Sequence, residues 1–91
     1  MDDSENIFEF EFSNSTNETK YIWVEPVAYS IEIDPNSQYK FTTLEKSFAI
    51  EFTSDSQITL WMDSDYRFKL FKRSLPTKLA IEEWSLDIDF F

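Results

Sequence analysis

SFAIEFTSDSQITLWM, residues 47–62, holds two runs of alternating side chains around a polar turn. Phe48, Ile50 and Phe52 fall on one side of the first run. Ile58, Leu60 and Met62 fall on one side of the second, with Trp61 facing the other way. An apolar residue at every second position is the period of a half-buried strand. The Thr53-Ser54-Asp55-Ser56 stretch between the runs is turn chemistry. The reading is therefore two strands, residues 47–52 and 57–62.

The same period extends in both directions. "FEFEF", residues 8–12, sets Phe8, Phe10 and Phe12 against Glu9 and Glu11 and predicts a strand over residues 6–13. Residues 20–24 follow a polar loop, with Tyr21 and Trp23 on one face and Ile22 and Val24 on the other. Pro26 ends that strand or marks an edge, since proline donates nothing to a ladder. Residues 28–33 and 38–43 flank the turn Asp34-Pro35-Asn36-Ser37. Beyond residue 62, Asp63-Ser64-Asp65 turns the chain into a strand over residues 66–72. The chain closes on "WSLDIDF", where Trp84, Leu86, Ile88 and Phe90 alternate with Ser85, Asp87 and Asp89. Residues 74–83 fit a short helix opened by Pro76, or a strand presenting Leu79 and Ile81; the strand is preferred.

Short strands at spacings of roughly 8–12 residues predict an all-β, single-domain antiparallel β-sandwich or small barrel of seven to eight strands, spanning residues 1–91. A chain of this size buries only about 60–65% of its unfolded surface. Seventeen aromatic side chains (ten Phe, four Tyr, three Trp) supply the apolar area, and no Cys is present to staple the fold. Glycine is absent as well, so Asn, Asp, Ser and Pro must make every turn.

Eighteen acids against eight bases leave a net charge of −10, which disfavours direct nucleic-acid or membrane contact and attracts basic partners. Acids crowd both ends of the chain. Five of the eight bases (Arg67, Lys69, Lys72, Arg73 and Lys78) gather in residues 67–78, which predicts a basic strand laid against an acidic terminal one. The acidic N-terminus lacks the pattern of a signal peptide, and the expected location is the cytoplasm. In that setting the sequons at Asn14 and Asn17 carry no glycan.

Lacking His and Cys, the chain offers no Ser-His-Asp or Cys-His catalysis, no His-ligated zinc and no thiol redox chemistry. Close carboxylate pairs occur at Glu9/Glu11, Asp63/Asp65, Glu82/Glu83 and Asp87/Asp89. Alternate positions of one strand lie roughly 6.5–7 Å apart, near the spacing of an inverting glycosidase, but any acidic alternating strand gives that spacing. "DSDYR", residues 63–67, opens like a calcium loop, yet Phe68 stands where such a loop needs Gly and Ser74 where it needs Glu. No cofactor or metal is expected.

The pattern reads as a non-enzymatic module that binds a basic surface of another protein, in the manner of an inhibitor or immunity protein. The partner would be a toxin, a nuclease or a nucleic-acid-binding protein. The candidate contacts are Glu9, Glu11, Asp63, Asp65, Glu82, Glu83, Asp87, Asp89 and Trp84. Two alternatives remain: a self-associating accessory domain, including a homodimer, and a small-ligand binder using carboxylates with Trp23 or Trp61. "WVEPVAYSIEIDPNSQYKF", residues 23–41, resembles a segment of uncharacterised small bacterial β-proteins through Glu25, Pro26, Ala28, Ile33, Pro35 and Tyr39. The resemblance implies an all-β fold and no activity, and it departs at Asn36-Ser37, where those proteins place Gly.

Overall fold

The computed structural model describes residues 7–44, 48–62, 67–77 and 79–90. Eight strands follow in order: β1 (Phe8–Asn14), β2 (Lys20–Glu25), β3 (Tyr29–Ile33), β4 (Ser37–Thr43), β5 (Phe48–Phe52), β6 (Gln57–Met62), β7 (Phe68–Ser74) and β8 (Ser85–Asp89). They form two four-stranded sheets, β1-β4-β7-β8 and β3-β2-β6-β5, the all-β sandwich that the alternation predicts. Five ladders are antiparallel. The sixth, between β2 and β6, is parallel and sets Ile22 beside Ile58 and Val24 beside Leu60. The β2–β3 and β5–β6 hairpins lie side by side, and the first strand of one meets the second strand of the other. Those two strands run the same way.

Between the sheets the apolar rows meet. Ile22, Val24, Ile31, Ile33, Leu60 and Met62 come from one sheet and Tyr39, Phe41, Phe68 and Leu70 from the other, all buried. Phe41 stacks on Phe68 at 4.8 Å and on Phe10 at 5.1 Å, so rings carry the packing that a smaller apolar set could not supply. Basic β7 lies against acidic β8 as the charge distribution predicts, with Lys69 opposite Asp89.

Two turns fall on residues with left-handed backbone. Asn36 (φ 55°) follows Pro35, the arrangement of a type II turn, and asparagine tolerates that region. Ala28 (φ 57°) closes the β2–β3 hairpin behind a cis Glu25–Pro26 bond, a position at which a Cβ is unfavourable.

The structure corrects the preference for a strand over residues 74–83. Ser74 ends β7, and the described residues 75–77 and 79–84 are irregular. The Thr77 hydroxyl accepts from the amides of Leu79 and Ala80, each at 3.1 Å, and the Thr77 amide donates to the Ala80 carbonyl. This local turn consumes backbone groups that a strand would offer to a neighbour. Leu79 and Ile81 accordingly stand 96% and 69% exposed.

Candidate functional site

The two long sides of the sandwich differ. On the β3/β8 side Phe90 closes the gap, packing 5.0 Å from Phe68 and edge-on to Tyr29 at 5.0 Å. On the β1/β5 side Phe10 reaches across the sheets and stacks on Phe48 at 5.4 Å. From there toward the β5–β6 turn the sheets stay parted, leaving an open cleft of about 500 Å³. Phe12, Phe41, Ile22, Ile33, Ile58 and Leu60 line its depth, and Ile50 and Phe52 stand at its lip. Such a volume falls in the range of ligand clefts, and the lining is mostly apolar as theirs is.

β5 is exposed along its whole length, with Ile50 at 49% and Phe52 at 83%. Its inward row pairs with that of β6, Ile50 with Leu60 and Phe52 with Ile58, and while Phe48 meets the Phe10 ring of the opposite sheet, Ile50 and Phe52 stand largely exposed. Glu11 and Asp55 border the cleft. Lys20, also at its mouth, is engaged by the Glu18 carboxylate at 3.7 Å and by the Asp55 carbonyl at 3.3 Å. Asn14 fixes the loop beside it. Its Nδ2 donates to the carbonyls of Glu18 (2.8 Å), Ile33 (3.3 Å) and Asp34 (3.2 Å), and its Oδ1 accepts from the Thr16 amide and hydroxyl. A buried amide so fully engaged leaves a glycan no room at this sequon.

The outer face of the β3-β2-β6-β5 sheet carries Glu25, Glu32 and Glu51 among Trp23 and Trp61, with no base among its described residues. Trp23 donates its indole Nε1–H to Glu25 at 2.8 Å, and Trp61 donates to Glu51 at 3.0 Å. Those three glutamates were missed as candidates. Glu25 and Glu51 each sit singly between apolar neighbours, Glu32 is followed by an acid only at the turn residue Asp34, and the strand order gathers the three.

The expected contact residues lie apart. Glu9 and Glu11 stand on β1, and Asp89 stands on β8 at the opposite edge of the same sheet. Three strand spacings, roughly 14 Å, separate those edges. Lys40, Lys69 and Arg73 lie on the strands between, with Glu11 opposite Lys40. Trp84 is held against this sheet: Arg73 stacks over its ring at 4.0 Å and Lys40 lies 5.3 Å from it. Glu82 accepts from the Ser74 amide through its carboxylate and from Arg73 through its carbonyl, while Glu83 is exposed. The ladder slips at Leu70/Phe71, and Asp87 falls in that bulge. Asp63 and Asp65 lie outside the described residues. The structure thus brings Glu9 and Glu11 together on one edge and Asp87 and Asp89 on the other, and does not join the two pairs.

Below the bulge, Lys72 pairs with Asp34, whose carboxylate hydrogen bond holds the ammonium above its ordinary pKa. The Tyr39 hydroxyl accepts from the Asp34 amide at 2.9 Å, and burial pushes the phenol up as well. Among the described residues, no three metal-ligating side chains come together. No protein-family model, curated protein or solved structure matches the chain.

Proposed function

We propose that the chain is a non-enzymatic, cytoplasmic binding module that engages a basic segment of another protein, as an inhibitor or immunity-type protein does. The observation that carries this reading is the apolar cleft between β1 and β5, open to solvent and bordered by Glu11 and Asp55. A partner gains from burying Ile50 and Phe52, and the −10 net charge speeds the approach of a basic one. The outer face with Glu25, Glu32 and Glu51 continues the negative potential up to the free edge of β5. The sheet bearing Glu9, Glu11 and Asp89 interleaves them with bases and is the weaker docking surface.

The test replaces Phe52 in the intact protein with a photo-reactive residue and compares it with the same residue at Glu83. A discrete basic protein attached from position 52, absent from position 83 and displaced by salt, is the expected result. No adduct from position 52 would end this reading. The self-associating alternative draws on the bare edge of β5 and predicts instead an adduct of twice the chain mass that salt leaves unchanged.

A further inference from the structure

We infer that the partner segment binds as an added β-strand on the free edge of β5, directing alternate apolar side chains into the cleft and alternate Lys or Arg side chains toward Glu51. The inference rests on the reading of a basic protein partner and specifies how that partner is held.

Four strands lie at sheet edges: β1, β8, β3 and β5. Three are guarded in the ways sheets usually guard their edges. β1 carries Glu9 and Glu11 side by side on its outer face. β8 is interrupted by a bulge and carries Asp87 and Asp89. β3 carries Glu32 and begins against Phe90 through Tyr29. β5, reading Phe48-Ala49-Ile50-Glu51-Phe52, has no proline, no lysine and one acid, and that acid is bonded to Trp61. Among the described residues no strand pairs with the outer edge of β5, which lies beside the most exposed part of the apolar row.

An added strand answers both features together. Its backbone completes the β5 edge, and its alternate side chains enter the cleft beside Ile50 and Phe52, where a helix would leave that edge unpaired. Opposite the cleft, the same strand runs beside Glu51, the acid of the neighbouring β5, where a cationic side chain is matched. A five-residue edge accepts a segment of about five to seven residues, roughly 17–24 Å when extended. A second copy of this chain would bring another net charge of −10 to that surface, so charge favours the heterologous segment.

The probe is the acetylated, amidated heptapeptide Lys-Ile-Lys-Phe-Lys-Ile-Lys. It is compared with one analogue N-methylated at its three apolar residues, one N-methylated at the inner two lysines, and one isomer of the same composition with helical spacing. Successive residues of a strand aim their amides at opposite edges, so in an added strand one N-methylated analogue blocks pairing and the other does not. Affinity is read from Trp61 fluorescence and from amide hydrogen exchange along β5. Expected are micromolar binding of the parent, slowed exchange in Phe48–Phe52, a tenfold or greater loss for one N-methylated analogue only, and loss of binding in Ile50→Asp. Ile50 is half-exposed, so that variant should still fold, as an unchanged circular dichroism spectrum would confirm.

Equal binding of both N-methylated analogues, or tighter binding of the helical isomer, overturns strand addition while leaving the basic-partner reading in place. No peptide binding alongside a position-52 adduct overturns strand addition in the same way. Peptide failure without an adduct removes both readings. Salt-independent dimers that vanish in Ile50→Asp would give the edge to a second copy and overturn the inference.

Discussion

Trp61 donates its indole Nε1–H to the Glu51 carboxylate at 3.0 Å, across the β5–β6 ladder. The bond draws the one charge of a free edge strand back over the sheet's outer face. Thr59, which lies opposite Glu51 in that ladder and beside Trp23 in the next, is buried although it faces outward. Glu51→Ala should shift the Trp61 indole resonance in a proton–nitrogen correlation spectrum and leave that of Trp23, held by Glu25, in place. The stability change should stay within about 1 kcal/mol, because an exposed charged hydrogen bond contributes little.

Asn14 should behave in the opposite way. It is buried, and its amide joins the end of β1 to the loop before β2 and to the corner after β3. Asn14→Ala leaves those carbonyls without a donor and should cost about 2–3 kcal/mol. Asn14→Asp keeps the size but cannot donate, and should be no better. Chemical denaturation checks both, and a loss below 1 kcal/mol in each would contradict this role.

Alkaline pH should weaken the fold. Lys72 is raised by its hydrogen bond to Asp34, and Tyr39 is raised by burial. In both cases the folded chain holds its proton more tightly than the unfolded chain. Stability is therefore fully present below the unfolded pKa values of about 10 and falls as pH climbs through the folded ones. Denaturant midpoints should be level from pH 8 to 9.5 and then decline. Lys72→Met should lower stability at neutral pH by less than about 1 kcal/mol, since both partners are partly exposed. A rise in stability above pH 10 would contradict the scheme.

Ala28 sits in left-handed backbone in a chain without glycine. Ala28→Gly should stabilise by about 0.5–1 kcal/mol, because relief of the Cβ clash exceeds the added freedom of the unfolded chain. Asn36→Ala should destabilise by a similar amount. Thermal unfolding of the two variants should move in opposite directions.

Phe68 and Phe52 are the same side chain in opposite settings, 0% and 83% exposed. Phe68→Ala should cost about 3–5 kcal/mol and approach the stability of the whole domain. Phe52→Ala should leave the unfolding midpoint nearly unchanged. Equal losses would mean that the cleft is closed in solution.

Period-two alternation was enough to locate the strands, since burial selects every second residue along each of them. β6 spans Gln57–Met62 as expected, while β7 runs Phe68–Ser74, two residues later than its expected range. Neighbour order was not legible. Alternation tells which face of a strand is buried and not which strand lies beside it, so the parallel β2–β6 ladder was invisible. The cleft was hidden for a related reason. Phe48, Ile50 and Phe52 repeat the pattern of Phe8, Phe10 and Phe12, and only the assembled sheets leave Phe52 uncovered. Leu79 and Ile81 misled because an apolar pair two apart mimics a strand wherever a hydroxyl such as that of Thr77 turns the chain instead.

The side-by-side placement of β2 and β6 also governs how a nascent chain leaving the ribosome can become a protein. Tyr21 meets Gln57 in that ladder, so the second strand, paired on one side with the third, waits for the sixth before its other neighbour exists. Until then its main chain and the greasy row of Ile22 and Val24 lack their final cover, and no N-terminal fragment ending before residue 57 can mature alone. Productive collapse is therefore a late, concerted event with substantial loop-closure entropy, and the interval before it is when a chaperone matters most.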